Sequence, residues 1–367
     1  MKKINIFFLL PQFVLGGAGK SISTLCKNLN KNKFKIYIIC LNKCYYADEL
    51  KEYCDYIYEI KSKKTFFAQK KITKILEKKK KEKSILVSNL FYCNALTALF
   101  QKKNKLLKFI FVERTPLQEL SIYFGLVDFF KKNFIKFILK IVYKKSDLII
   151  ANSSKTAKDL VFFSKIKTKG IYPPSFLNKK YKNKTKNKLF NLLTIGRLSK
   201  EKGYNILIDI ISDINFKNFK LTIIGNGPEK ENLKKLVIKK GLKKKILFLG
   251  EKKNVNQYFK NCDLFINSSL FEGFPNVVVE ALSFGVPVIC SDSHGGIGEI
   301  LKNGKYGAIC KNKKSFKYKI ESFFKKPQLL QKKALLGQKD LKRFSAKENK
   351  NAYEKIFLDM KFSNKLD

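Results

Sequence analysis

Two glutamates eight residues apart, Glu272 and Glu280, frame Gly273-Phe274-Pro275-Asn276 within SSLFEGFPNVVVEALSFGVPVICSD, residues 268–292. Gly273 and Pro275 suit a loop at the carboxyl end of a strand. A helix starting near Asn276 then offers its unpaired backbone N–H groups to an anion. Glu272 would hang in the loop as an acceptor for hydroxyl groups, and Glu280, about one turn into the helix, would reach a ribose from its face. The same spacing also fits an ordinary strand-loop-helix with a capping carboxylate and a solvated glutamate.

Three further segments carry residues suited to chemistry. IGRLSKEKG, residues 195–203, places Arg197 and Lys202 around a glycine turn. Arginine is scarce, with only Arg114, Arg197 and Arg343 among 77 basic residues. In IIGNGPE, residues 223–229, Gly225-Asn226-Gly227-Pro228 closes a strand with a turn and starts a helix, with proline where a first helical turn tolerates it. Near the N-terminus, Gly16-Gly17-Ala18-Gly19-Lys20-Ser21 invites a phosphate-binding reading, but the Walker pattern requires glycine where Val14 stands. A P-loop-like NTPase is therefore an alternative, as is a non-catalytic sugar- or lipid-binding protein.

The elements that must position these residues follow an alternating pattern. In the first half, INIFFLL, FKIYIIC, SILVSNL, KFIFVE and DLIIANS read as strands separated by lysine-rich stretches of helical period. From Leu189, LFNLLTIG, KLTIIG, KILFLG, DLFINSS and VPVICSD repeat the pattern. Such alternation implies α/β units on parallel sheets, and 367 residues suit two domains. The expected division is a Rossmann-like domain over 1–170, a linker over 171–188 around a Pro-Pro pair, a second Rossmann-like domain over 189–345, and a helix over 346–367. Ligands of such sheets bind at the carboxyl ends of the strands.

The formal charge is +48, from 77 Lys plus Arg against 29 Asp plus Glu, which favours polyanionic partners. No zinc-finger spacing, RNP-like strand or helix-turn-helix accompanies it, so nucleic acid is not an expected partner. The eight cysteines form no C-x-x-C pair and the single histidine is His294, which excludes a Cys/His zinc site. They read as reduced, mostly buried residues of a cytoplasmic protein. The opening apolar run is interrupted by Asn5, Pro11 and Gln12 and runs on into the α/β pattern, unlike a signal peptide. No apolar run reaches the ~18 residues of a membrane span.

Together with SHGGIGEIL, residues 293–301, the three second-half segments stand in the order found in the retaining glycosyltransferases of family 4, the group-one glycosyl transferases, which this sequence resembles. The resemblance covers essentially the second half. It implies the GT-B fold, two facing Rossmann-like domains with the active site in the cleft between them, and a nucleotide diphosphate sugar, most commonly a UDP-sugar, as donor. It further implies that Arg197 and Lys202 contact the donor diphosphate, which agrees with a guanidinium's bidentate grip and an ammonium's point charge. By the same resemblance Glu280 binds the ribose hydroxyls, Glu272 the sugar, backbone amides through Gly273, Phe274, Pro275 and Asn276 the sugar or phosphate, and Gly225-Asn226-Gly227 flanks the base. The loop at Gly17 closes on donor and acceptor.

A retaining transfer of this kind needs no strong protein base, because a leaving-phosphate oxygen takes the acceptor proton. Positioning and charge stabilisation by Arg197, Lys202 and helix-terminal amides would do the work. No Asp-x-Asp pair is present to hold a divalent ion, so neither a metal nor any other cofactor is expected. Many relatives carry a histidine in the first domain, whereas His294 falls in the second. Asn89, Asn94, Glu113 and Arg114, at ends of first-domain strands, are candidates to serve that region, and the sequence does not choose among them.

The expected acceptor is a glycan or lipid-linked intermediate of surface-polysaccharide synthesis. Residues 128–145, DFFKKNFIKFILKIVYKK, read as a helix with Lys132, Lys136, Lys140 and Lys144 in one stripe and Phe130, Phe134, Ile138 and Ile141 on another face. That apolar face would either join the core or lie in the interface of an anionic membrane.

Overall fold

Strands with apolar residues on both faces need cover on both faces, and helices supply it here in two separate units. The computed structural model describes residues 2–13, 16–61, 65–100, 105–123, 125–179 and 189–362. One unit comprises residues 1–174 and 346–367, the other 175–345. Val14 and residues 180–188 of the expected linker lie outside the described residues.

The first unit runs β1 (Ile4–Leu10), α1 (Gly17–Asn28), β2 (Phe34–Cys40), α2 (Ala47–Leu50), β3 (Tyr56–Glu59), α3 (Thr65–Glu77), β4 (Ser84–Asn89), α4 (Leu90–Ala98), β5 (Leu107–Glu113), α5 (Leu126–Tyr143), β6 (Leu148–Ala151), α6 (Ser154–Ser164) and β7 (Thr168–Gly170). All seven strands are parallel, in the order β3-β2-β1-β4-β5-β6-β7. The register of β1 pairs Ile6 with Ile36 and Ile85, so Ile6, Phe8 and Leu10 share one face. Phe7 and Leu9 point to the other, where α3, α4, α5 and α6 pack.

The second unit continues with β8 (Phe190–Ile195), α7 (Tyr204–Ser212), β9 (Phe219–Ile224), α8 (Lys230–Lys239), β10 (Ile246–Phe248), α9 (Asn256–Asn261), β11 (Leu264–Asn267), α10 (Asn276–Ser283), β12 (Val288–Ser291), α11 (Ile297–Ile300), β13 (Ala308–Cys310), α12 (Lys313–Lys325) and α13 (Pro327–Asp340). Its six parallel strands are ordered β10-β9-β8-β11-β12-β13. The strand order therefore reverses between β8 and β11, the kind of position where doubly wound sheets open a crevice for ligands.

The last helix, α14 (Ala346–Asp359), belongs to the first unit. Phe357 meets Phe34 edge to face, and Glu354 accepts from the Asn30 N–H at 2.8 Å. All eight cysteines are free thiols, and all but Cys54 are buried. Among the described residues no helix is long and apolar enough to cross a membrane.

Candidate active site

Four loops at the carboxyl ends of adjacent strands in the second unit are tied together by hydrogen bonds, all but one of them backbone to backbone. Leu198 donates to Asn226 at 3.0 Å and Glu229 donates to Leu198 at 2.9 Å, which joins the loops after β8 and β9. Leu270 donates to Glu201 at 2.8 Å, and the Ser268 hydroxyl donates to the Lys202 carbonyl at 2.8 Å, which joins β8 to β11. Glu272 donates to Ser293 at 3.1 Å and Gly296 to Gly273 at 2.8 Å, which brings in the loop after β12.

Glycine makes these approaches possible. At Gly225, φ is +145° and an added Cβ would stand 1.9 Å from the Gly196 carbonyl oxygen. At Gly295, φ is +101° and a Cβ would stand 2.2 Å from the Glu272 carbonyl oxygen. Any side chain would drive the loops apart.

Lys202 and Glu272 meet on this platform. The ammonium of Lys202 donates to the Glu272 carboxylate across the β8/β11 reversal, with both side chains partly buried. Arg197, five residues before Lys202, is exposed after β8. Glu280 lies buried within α10, which starts at Asn276 with Pro275 as its cap residue. Phe274 is buried, its ring 5.2 Å centroid to centroid from Phe344 and close against Gly296, so its side chain packs within the unit.

Two local expectations need correction. The residues from Gly17 onward do not form a loop: Gly16 is the cap and Gly17 the first residue of α1. Similarly, α8 starts at Lys230 with Glu229 as cap, so Pro228 precedes the helix and does not occupy its first turn. Asn226 and Gly227 stay in the loop, where the Asn226 side-chain oxygen accepts from the Gly227 N–H at 3.1 Å.

The first unit gathers its own polar cluster at the ends of β4 and β5. Asn94 donates to Glu113 at 2.5 Å, and Arg114 donates to Asn89 at 3.3 Å. Burial pushes the Glu113 carboxyl up to about 7, against hydrogen bonds from Asn94 and Tyr143 that favour its charged form. His294 is exposed, with φ of +26°. No group of three or more His, Cys, Asp or Glu among the described residues is placed to hold a metal ion.

Neither the Lys202–Glu272 contact nor the bonds made by the Ser268 hydroxyl and the Ser293 carbonyl were apparent from sequence. The two motifs are 70 residues apart, and only the strand order makes them neighbours. Gly203, with φ of +62° and a Cβ position 2.3 Å from the Ser268 carbonyl oxygen, was the available signal for that approach.

Residues 176–339 match the family described as glycosyl transferases group 1. The chain carries a group 1 glycosyl transferase domain. Among curated proteins it is similar to the N-acetylgalactosamine-N,N'-diacetylbacillosaminyl-diphospho-undecaprenol 4-alpha-N-acetylgalactosaminyltransferase of Campylobacter jejuni, 30% identical over 199 residues, or 50% of this chain and 53% of that one. It is also similar to an uncharacterized glycosyltransferase of Methanocaldococcus jannaschii, 30% identical over 235 residues, covering 62% of this chain and 65% of the relative. The chain spans about half the length of the first of the curated relatives it matches. Among solved structures, Anabaena HepE in complex with UDP and glucose superposes with a TM-score of 0.79 at 17% identity over 97% of this chain and 100% of that one. Sucrose-phosphate synthase from Thermosynechococcus elongatus does so with a TM-score of 0.79 at 16% identity, covering 98% and 100%. These likenesses show the fold, the two Rossmann-like units of the GT-B class.

Proposed function

We propose that this group 1 glycosyl transferase chain moves a hexose or N-acetylhexosamine from a UDP-sugar to a glycan or lipid-linked acceptor, with retention of anomeric configuration. The observation that carries the reading is the Lys202–Glu272 pair at the strand-order reversal, flanked by Arg197 and by α10 with Glu280. In this reading Arg197 and Lys202 hold the diphosphate, and their hold strengthens as the leaving group gains charge. Glu272 orients the sugar through its hydroxyls and Glu280 receives the ribose. The first unit supplies the acceptor side.

Two relatives support the UDP and lipid-linked parts of this reading. The HepE structure holds UDP and glucose, and the Campylobacter enzyme is named for transfer to a diphospho-undecaprenol glycan. The proposal therefore extends to surface-polysaccharide or lipid-linked glycan synthesis, at the cytoplasmic face of an anionic membrane. Calorimetry with UDP, UDP-hexoses and UDP-N-acetylhexosamines tests the donor. Wild type is expected to bind UDP, and Glu280→Ala to bind it at least about tenfold more weakly, since loss of a buried charge-assisted hydrogen bond costs about 1.5–3 kcal/mol. Equal UDP affinity in the two proteins would reject the ribose assignment, and absence of binding to any nucleotide sugar would reject the function.

A further inference from the structure

Helix α5 has two apolar faces and the first unit uses only one. Leu139, Val142 and Tyr143 are buried in the core, with Ile135 and Ile138 packed at its edge. On the other side Leu126, Val127, Phe130, Phe134, Phe137 and Ile141 are all exposed, from 52% to 83%. At 3.6 residues per turn these six fall within an arc of about 100°. The neighbouring α6 adds Phe162, which is 79% exposed. So many phenylalanines aligned in water form a patch of the kind that marks an interaction surface.

The charges around the arc indicate what covers it. Lys131, Lys140, Lys144 and Lys145 are exposed on α5 and just beyond it, and Lys165 lies 4.8 Å over the Phe162 ring. The one acidic residue of α5, Asp128, is paired with Lys132 at 2.8 Å. Lys132 also donates to the Ile122 carbonyl at 2.6 Å and Lys136 to the Ser121 hydroxyl at 3.2 Å, while Lys140 lies 5.5 Å over the Phe163 ring and is still exposed. A second copy of this chain would bring the same lysines and a further charge of +48 to the same place, and the pairing would be repulsive. A bilayer with anionic headgroups satisfies both components, because its acyl boundary takes the phenylalanines and its headgroups take the lysines.

We infer that the exposed arc of α5, extended by Phe162 of α6, inserts into the interface of an anionic lipid bilayer and docks the first unit there. Apolar insertion supplies most of the hold, and the lysine rim selects the anionic surface. This deepens the membrane placement proposed above, yet it requires neither the donor nor the acceptor assignment, since vesicle binding and nucleotide binding are measured separately.

Cosedimentation with vesicles of phosphatidylcholine plus phosphatidylglycerol, and of phosphatidylcholine alone, tests the inference at low and high salt. Wild type is expected to bind the anionic vesicles and to retain part of that binding at high salt. The triple variant Phe130→Ser, Phe134→Ser, Phe137→Ser is expected to lose affinity by a hundredfold or more, roughly, given the worth of each buried phenylalanine. Its UDP affinity should be unchanged. Replacing Lys131, Lys140, Lys144 and Lys145 with Gln should weaken binding at low salt only. Phe162→Ser, far from the triple site in sequence, provides a second variant with a smaller loss in the same direction. No binding by wild type, equal binding to neutral and anionic vesicles, or wild-type binding by the triple variant would overturn the inference. So would self-association of wild type that the triple variant abolishes, since it would make a second copy the occupant.

Discussion

Lys202 and Glu272 neutralise each other at the proposed diphosphate site, and this has a consequence for how each variant behaves. Lys202→Ala removes a cation and also leaves the Glu272 carboxylate partly buried and unpaired, facing the incoming phosphates. The loss of UDP affinity should therefore exceed the worth of one phosphate contact, and Glu272→Gln in the same chain should restore part of it. A double-mutant cycle by calorimetry is expected to give a coupling of about 0.5–3 kcal/mol, the range for residues in direct contact. Additive losses would mean that the two side chains do not share the donor.

Glu113 supports a pH prediction. Its carboxyl is pushed up to about 7 by burial from an ordinary value of 4.5. The folded chain then holds a proton that the unfolded chain releases. The corresponding stability is fully present below the unfolded value and is lost as pH rises through about 7. Glu113→Gln keeps an acceptor for Asn94 and removes the titration. Between about pH 5 and pH 8 the Tm of wild type should fall relative to the variant, by an amount equivalent to about 3 kcal/mol. Parallel Tm curves would show that Glu113 titrates normally.

At the scale of elements, the loop after β9 illustrates how glycine fixes the loops of the proposed donor site. Gly225 combines φ of +145° with a Cβ position 1.9 Å from the Gly196 carbonyl oxygen, so alanine has to displace backbone and not merely a side chain. Gly225→Ala is expected to destabilise the second unit by about 3 kcal/mol, from the strained φ and the clash together. It should also weaken UDP binding, because the 196–203 and 225–229 loops separate. A variant with wild-type thermal stability and UDP affinity would contradict this packing.

The same scale shows what the sequence carries. Parallel strands buried on both faces are continuous apolar runs, so INIFFLL and FKIYIIC were legible as β1 and β2 from composition alone. Helix starts were less legible. Gly16, Gly17 and Gly19 read as a loop because their propensity is poor, yet Gly16 caps α1 and Gly17 begins it, and Gly19 is buried there, where packing overrides propensity. Periodicity found α5 and one apolar face on it, but the structure divides that face: Ile138 packs at the core's edge while Phe130, Phe134 and Ile141 are exposed, a division set by the neighbouring helices, α4 and α6. The spacing of Glu272 and Glu280 pointed to the loop and helix of the proposed site, whereas the Lys202–Glu272 ion pair depends on strand order, which no local pattern records.

At the scale of the whole molecule, cations abound and carboxylates are few: 77 Lys plus Arg against 29 Asp plus Glu. A leaving diphosphate needs positive charge, which enzymes supply either with a divalent ion held by carboxylates or with basic side chains. In the proposed reaction Arg197 and Lys202 fill that role, and Glu272 and Glu280 are committed to hydroxyl groups. Turnover of the UDP-sugar is therefore expected to be unchanged by EDTA. It should instead fall as ionic strength rises, because exposed Arg197 is screened by salt while a tightly bound ion would be much less so. Initial rates in EDTA, in added Mn²⁺ and across a salt series separate the two cases. Loss of activity in EDTA that Mn²⁺ restores would place a metal at the diphosphate and reduce Arg197 and Lys202 to supporting contacts.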